Sequence, residues 1–181
     1  MQRYLSSVLV PRVQKSANQA KLGAIYMAFL HNMKLWLSPP KIVDPDFGTL
    51  VFMHIGKHPE RSYWEGERRM PESDHSVEIS LRGGEHGPSE DSRRFYLNLP
   101  DRIEQIIELC RPSLDKVFRE WLNRDMPDDI LSELKLTGFD VDDPNEHPLR
   151  WSVWFETNGE KWLGITIPFV GDAAGDAEVD T

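Results

Sequence analysis

The chain has 181 residues, of which 39% are hydrophobic and 28% charged, and it contains six Trp and eight Phe. This amount of apolar material supports one hydrophobic core and excludes wholesale disorder. A single cysteine, Cys110, excludes a disulfide framework and a multi-cysteine metal site, and it favours a reducing, cytoplasmic compartment. The length predicts one domain with some additional segments.

The net charge of −9 is unevenly distributed along the chain. Residues 1–43 hold six of the 21 basic residues and none of the 30 acidic ones, so residues 44–181 hold 15 basic and 30 acidic residues, a net charge of −15. A body this acidic repels nucleic acid and anionic membrane surfaces, and it attracts a basic partner. The alternative is that the charges serve solubility alone.

The first part of the chain, residues 1–32, differs in composition from the rest. Its apolar run at residues 22–30 is too short for a transmembrane helix, which needs about 20 residues, so no integral membrane association is predicted. No cleavage site of a signal peptide follows the run. A functional arm is one interpretation of this segment. The other is a weakly ordered extension that precedes a true start at Met27 or Met33.

A helix is predicted within this segment, over about residues 16–32. The spacing of its apolar residues places Leu22, Ile25 and Phe29 on one face. The residues that follow, Lys34–Leu37, predict a short strand, because two prolines then end any ladder.

The body, from residue 33 to residue 170, is predicted to be a single α+β domain. Strand patterns lie at residues 49–55, 61–67, 75–81, 133–141, 149–157 and 161–170. Between them, apolar residues recur at helical spacing and predict a kinked helix or helix pair over about residues 100–124. Because Pro112 falls inside the pattern, a break or kink is expected near Cys110. Cys110 lies on this apolar stripe and is predicted to be a buried, inert thiol. This order of elements predicts a mostly antiparallel sheet with the helices on one face.

The end of the chain combines a hairpin with a polar tail. In the hairpin, SVWFETNGEKWLGITIPF, the Asn-Gly pair predicts a two-residue turn that pairs Phe155 with Trp162. Trp151 then shares an aromatic face with these two residues, and Trp154 lies on the opposite, aliphatic face. Such a face is either core in a sheet covered on both sides or a binding surface. The tail at residues 171–181 is predicted to be flexible and acidic.

Motifs for catalysis are largely missing from the sequence. It contains no phosphate-binding glycine loop and no nucleophile elbow. The acidic residues at 140–146 lack the glycine and the bidentate glutamate of a calcium loop. The remaining candidates for a metal site or a small hydrolase are two histidines with nearby carboxylates: His54, His58, Glu65 and Glu67. His75 and His86 are potential further ligands.

The order of motifs resembles a group of small bacterial α+β domains of unknown function, several of which are encoded beside toxins as immunity-type proteins. The resemblance covers roughly residues 33–170. It rests on an Asp-Pro-Asp-Phe-Gly turn, a Trp-x-Gly strand and a glycine-containing aromatic strand. The matching residues are Asp44, Phe47, Gly48, Trp64, Gly66, Trp162, Gly164 and Ile165. The resemblance implies an α+β fold and a binding role, and it provides no catalytic residue.

The predicted function is therefore a non-enzymatic protein-interaction domain, immunity-type, with an acidic surface and an aromatic sheet face. The predicted binding residues are Trp64, Trp151, Phe155 and Trp162. The partner is another protein, basic in charge, or a second copy of the chain, and no nucleic acid or cofactor is expected. The alternative is the small hydrolase, or the metal- or ligand-binding enzyme, that uses His54 and His58.

Overall fold

The computed structural model describes residues 11–70, 76–159 and 161–181, and side chains from Leu22 onward with the exception of Ala24. The chain divides into two compact units, with the boundary between Pro39 and Pro40. This boundary lies later in the chain than the predicted domain start at residue 33. His75, a candidate ligand, lies outside the described residues.

The first unit contains one helix, α1 (Pro11–Leu37). A proline suits the first turn of a helix, where its missing N–H group has no intrahelical partner. The helix includes the residues predicted to be helical. The strand predicted at Lys34–Leu37 is wrong, because these residues form the last turn of α1, where the Ser38 amide donates to the Lys34 carbonyl at 2.9 Å. None of the described helices combines the length and apolar character that a membrane-spanning segment needs.

The second unit is built around a sheet with two helices. The strands are β1 (Lys41–Asp44), β2 (Gly48–Met53), β3 (Tyr63–Arg69), β4 (Ser76–Gly84), β5 (Gly87–Pro88), β6 (Leu134–Val141), β7 (Arg150–Thr157), β8 (Gly164–Val170), β9 (Ala173–Ala174) and β10 (Glu178–Asp180). The helices are α2 (Glu90–Asn98) and α3 (Ile103–Trp121). Three short 3₁₀ turns lie at Pro59–Arg61, Pro100–Arg102 and Ile130–Ser132.

The sheet follows the order β1-β2-β3-β4-β6-β7-β8-β10, with β5 beside β4 and β9 beside β8. All of these described pairs are antiparallel except β4 with β6, which run parallel over a short stretch centred on Ile79 and Phe139. The sheet and helices confirm the predicted α+β class. The parallel pair brings together two strands that are far apart in sequence, so residues of β4 and β6 become neighbours on the sheet surface.

Helices α2 and α3 cover one face of the sheet. The buried residues of α3 are Ile103, Ile106, Cys110, Ser113, Leu114, Val117 and Phe118. Of the break or kink predicted near Cys110, the break is absent, since α3 continues through Pro112 as one helix. Burial of apolar side chains on both sides of Pro112 offsets the roughly 3 kcal/mol that an interior proline costs. Cys110 is buried, as predicted, and burial raises the pKa of its thiol to about 12.

The predicted Asp-Pro-Asp-Phe-Gly turn forms between β1 and β2. Gly48 has a φ of 72°, which a residue without a Cβ adopts readily. The Asp44 carboxylate accepts hydrogen bonds from the backbone amides of Asp46 and Phe47, and Arg93 of α2 pairs with it. Burial acts to raise the pKa of Asp44, but these hydrogen bonds and the Arg93 charge outweigh it and lower the pKa. The ion pair between Asp44 and Arg93 therefore connects the turn to α2.

The hairpin of β7 and β8 has a different register from the predicted one. Phe155 pairs with Ile165, not with Trp162, and the chain between the strands forms a longer loop. Thr157 holds this loop: its hydroxyl accepts from the Leu163 amide at 2.9 Å and donates to the Lys161 carbonyl at 2.6 Å. Because the register shifts by an odd number of residues, the predicted split into an aromatic and an aliphatic face is wrong.

The tail at residues 171–181 was predicted to be flexible, and this prediction is wrong. β9 and β10 both pair with β8, so backbone hydrogen bonds extend the sheet almost to the end of the chain. The Ser113 hydroxyl of α3 donates to the Gly175 carbonyl at 2.7 Å, and Lys116 forms an ion pair with Asp176 at 2.6 Å. Composition alone misses this because the pairing is carried by the main chain.

Candidate functional site

Three of the four predicted binding residues belong to the core. Trp64, Trp151 and Phe155 expose 0%, 5% and 1% of their surface. Trp151 stacks on Phe169 with ring centroids 4.1 Å apart and contacts Phe95 of α2 at 5.4 Å. These side chains face the helices, so they do not form an open aromatic surface. Trp162 is 51% exposed and lies over Gly164, at the hairpin loop.

The opposite face of the sheet is not covered by α2 or α3, and we call it the open face. Two rows of neighbouring residues cross β3, β4, β6 and β7 on this face. The first row consists of Glu67, Glu78, Gly138 and Trp154, and the second consists of Glu65, Ser80, Asp140 and Ser152. Four carboxylates therefore lie on three adjacent strands.

A depression of about 370 Å³ lies on the open face, and residues of both rows line it. It is lined by Ile55, Arg61, Tyr63, Glu78, Ser80, Arg82, Asp140 and Trp154. Ser80 is buried and forms part of the floor, whereas Glu78 is exposed at the rim. We call this feature the acidic depression after Glu78 and Asp140; Arg61 and Arg82 line it as well.

Gly138 and Trp154 shape one side of the acidic depression. An added Cβ at Gly138 would lie 2.8 Å from the Trp154 ring and 3.1 Å from the backbone oxygen of Glu78. Only glycine therefore lets the indole lie across β6 next to Glu78. The Trp154 indole N–H donates to the Ser152 hydroxyl at 3.0 Å, which fixes the ring orientation.

Arg82 forms the other side of the acidic depression and is held by three hydrogen bonds. Its guanidinium donates to the carbonyls of Val141 and Arg61, both at 2.7 Å, and more distantly to the Asp140 carboxylate at 3.4 Å. It also lies over the Tyr63 ring at 5.7 Å. Two of its five N–H donors are bound to backbone carbonyls, and the only carboxylate it reaches in the cluster is that of Asp140, whose pKa its charge acts to lower.

The other carboxylates of the open face have no such partner. Within the described residues, the side chains of Glu65, Glu67 and Glu78 make no hydrogen bond or ion pair, and Glu67 and Glu78 lie directly opposite each other on β3 and β4. Like charges directly opposite each other destabilise a strand pair. Glu78 is exposed at the rim, but partial desolvation of its carboxyl group raises its pKa, and repulsion from Glu65, Asp140 and Glu67 raises it further. Burial also raises the pKa of Asp140, an effect that the Arg82 charge opposes.

We predict that Glu78→Gln stabilises the fold at neutral pH, because it removes an unfavourable charge. A carboxyl group whose pKa is raised by folding destabilises the folded state above that pKa, and the penalty disappears as the pH falls and the group is protonated. The melting temperature should rise by roughly 1–3 °C at pH 7, and the difference from the wild type should shrink towards pH 4. Glu178→Gln, at an exposed site on β10 that lies outside the lining of the acidic depression, is the matched control and should change neither value.

The histidine candidates do not converge with the carboxylates proposed to act with them. His58 pairs with Glu60 at 3.1 Å and is 60% exposed. The His54 ring lies 6.2 Å from that of the buried Phe52, whereas Glu65 and Glu67 project from the open face. Neither histidine lines the acidic depression. Among the described residues, no group of three or more His, Cys, Asp or Glu is placed to hold a metal ion.

Sequence reasoning missed the residues of the acidic depression, although part of the signal was present. The alternation in β4 places Glu78, Ser80 and Arg82 on the polar side of the strand. What the sequence does not show is that β4 pairs in parallel with β6, which places Asp140 beside Ser80. Trp154 was assigned to the aliphatic face through the incorrect hairpin register.

Fold and site together define an α+β domain with helices on one face of its sheet and an acidic, partly aromatic depression on the other. Comparison of the chain with known protein families, curated proteins and solved structures found no match to any of the three.

Proposed function

We propose that this chain is a non-enzymatic interaction domain that binds a basic protein through its open face, with an arginine side chain of the partner entering the acidic depression. The observation that carries the proposal is a group of three carboxylates on the open face, Glu65, Glu67 and Glu78, which make no ion pair within the described residues. Glu78 lines the depression, and Glu65 and Glu67 lie beside it on β3. The sheet holds these charges together at a cost in stability. A cation from a partner would remove that cost on binding.

The chemistry of the depression supports arginine as the occupant. A guanidinium group is planar and always charged, stacks on aromatic rings and pairs with carboxylates through two parallel hydrogen bonds. The Trp154 ring and the Glu78 carboxylate lie next to each other on the open face and offer both interactions. Tyr63 adds a second aromatic ring to the lining, and the small side chain of Ser80 leaves room in the depression.

The charge of the whole body supports a basic protein as the source of that arginine. Residues 44–181 have a net charge of −15, and this field accelerates encounter with a positively charged partner. The resemblance to immunity-type domains supports a partner that the domain keeps inactive, such as a basic toxin. The cytoplasm is the proposed setting, because the single cysteine is buried and reduced.

The proposal is tested by capture from native lysate with three tagged proteins: the wild type, Glu78→Lys and Glu104→Lys. The two variants change the net charge equally, but only Glu78 lines the acidic depression, and Glu104 lies on α3. We expect one basic protein to be retained by the wild type and Glu104→Lys and lost from Glu78→Lys. Equal retention by both variants, retention of acidic proteins only, or no retained protein would contradict the proposal.

A further inference from the structure

The open face carries two places where a tryptophan ring lies over a glycine. One is the acidic depression, where an added Cβ at Gly138 of β6 would lie 2.8 Å from the Trp154 ring. The other is at Gly164 of β8, where an added Cβ would lie 3.3 Å from the Trp162 ring. In both places the missing side chain leaves the space that the ring occupies.

The strand register places Trp162 on the same face of the sheet as the acidic depression. In the pairing of β7 with β8, Gly164 lies opposite Glu156, which is two residues from Trp154. Because side chains alternate along a strand, Glu156 and Trp154 project from the same face. The space above Gly164 belongs to that face as well, and the Trp162 side chain that fills it is half-exposed.

Carboxylates flank this second ring as they flank the first. Glu156 of β7 lies opposite Gly164 on one side, and Asp180 of β10 lies opposite it on the other. Lys135 of β6 is the cross-strand neighbour of Glu156, but neither carboxylate makes a hydrogen bond or an ion pair within the described residues. We call this arrangement the second subsite, and it consists of Trp162, Gly164, Glu156 and Asp180.

The side of the sheet that the helices cover treats its carboxylates differently. Ion pairs of 2.6–2.9 Å neutralise several of them there: Glu108 with Arg111, Asp115 with Arg119 and Asp176 with Lys116. At the second subsite no such pair forms among the described residues. Unpaired negative charge therefore accompanies both tryptophan rings of the open face, and charge complementarity selects a cationic occupant for each.

The register of the sheet also sets the distance between the two places. Gly138 lies beside Trp154 of β7, and Gly164 lies beside Glu156, two residues further along the same strand. The two glycines are therefore about 9.6 Å apart across the sheet and about 6.8 Å apart along it, a direct separation of about 12 Å. In an extended segment, the side chains of residues i and i+4 project to the same side at about 13 Å.

From this repeated arrangement we infer that the open face recognises two basic side chains of one partner, about 12 Å apart. One enters the acidic depression and the other binds at the second subsite. The inference rests on the proposed function, because the same basic protein supplies both side chains.

The second subsite is the weaker of the two. Trp162 is half-exposed and Asp180 is exposed, and ion pairs in contact with water contribute little. A basic side chain therefore occupies this subsite only when an arginine in the acidic depression holds the ligand close to it. A ligand with one arginine, such as acetyl-arginine amide, fills the acidic depression alone.

The test compares three short peptides by NMR, with the indole N–H signals of Trp154 and Trp162 as readouts. Acetyl-Arg-Thr-Ser-Thr-Arg-amide carries two arginines at the required spacing, and in the other two peptides citrulline replaces the first or the last arginine. With the two-arginine peptide, both signals should shift with one dissociation constant, several-fold lower than that of either single-arginine peptide. The single-arginine peptides should shift the Trp154 signal only.

Protein variants separate the second subsite from a general effect of charge. Asp180→Asn should remove most of the advantage of the two-arginine peptide and leave the binding of acetyl-arginine amide unchanged. Asp101→Asn is the matched control, because Asp101 is exposed in the turn that precedes α3 and lies outside both binding places. It should keep the full advantage.

Three results would overturn the inference. If the two-arginine peptide shifts the Trp154 signal but not that of Trp162, or binds no more tightly than the single-arginine peptides, the second subsite is wrong and the proposed function stands. Equal losses in Asp180→Asn and Asp101→Asn would show a general charge effect and contradict the second subsite. If no peptide shifts the Trp154 signal, the proposed function fails, and this inference fails with it.

Discussion

Replacing Trp64 by alanine should destabilise the second unit by about 3–5 kcal/mol, the range for loss of a large buried aromatic side chain. Trp64 is fully buried, lies 5.1 Å from the Phe52 ring, and donates its indole N–H to the Gly84 carbonyl at 2.9 Å. The change removes both the packing and the hydrogen bond. Chemical denaturation followed by circular dichroism measures the loss directly.

Trp162→Ala is the control for this experiment. Trp162 is 51% exposed at the hairpin loop, so the same substitution should cost less than about 1 kcal/mol. A similar small cost for both variants would mean that Trp64 is not part of the core, and the description of the sheet faces would then be incorrect.

Replacing Tyr96 by phenylalanine should cost about 1–3 kcal/mol, although it removes only one oxygen atom. The Tyr96 hydroxyl, fully buried under the sheet, accepts from the Ser80 amide at 3.1 Å and lies 3.0 Å from the Ser80 carbonyl and 2.9 Å from the Phe139 carbonyl. It thus joins β4 to β6 next to their short parallel ladder. Phenylalanine would leave these buried backbone groups without a partner.

The expected fall in melting temperature for Tyr96→Phe is roughly 3–10 °C. Tyr63→Phe is the control, because the Tyr63 hydroxyl makes no hydrogen bond within the described residues, and it should melt within about 1 °C of the wild type. Equal stability of Tyr96→Phe and the wild type would contradict the role of Tyr96 as a connector between β4 and β6. Because Ser80 and Asp140 line the acidic depression, Tyr96→Phe should also weaken ligand binding there.

The fold class was predictable because the local signals agree with the final structure. The alternation in β4 and the apolar stripe of α3 each point to the face that packs, and together they define an α+β domain. Of the break or kink predicted near Cys110, the break does not occur, because tertiary burial outweighs the local cost of Pro112. The strand predicted at residues 34–37 was wrong because the helix signal of α1 continues through it.

The site was harder to predict than the fold, for two physical reasons. The predicted hairpin register relied on a two-residue Asn-Gly turn. In the structure, the Thr157 side chain holds a longer loop, and Trp151 and Phe155 therefore share their face with the buried residues of β8. The acidic depression depends on the parallel contact between β4 and β6, which no local pattern encodes.

The most direct test of the proposed function is an NMR titration of the full chain with acetyl-arginine amide, with acetyl-citrulline amide as a neutral control of the same shape. If arginine binds in the acidic depression, we expect saturable shifts of the Trp154 indole N–H signal with acetyl-arginine amide, at millimolar affinity. The shifts with acetyl-citrulline amide should be much smaller. The Trp162 signal should not change, and Glu78→Gln should weaken the arginine response several-fold. Equal responses to both ligands, or no response at Trp154, would contradict a cation site in the acidic depression.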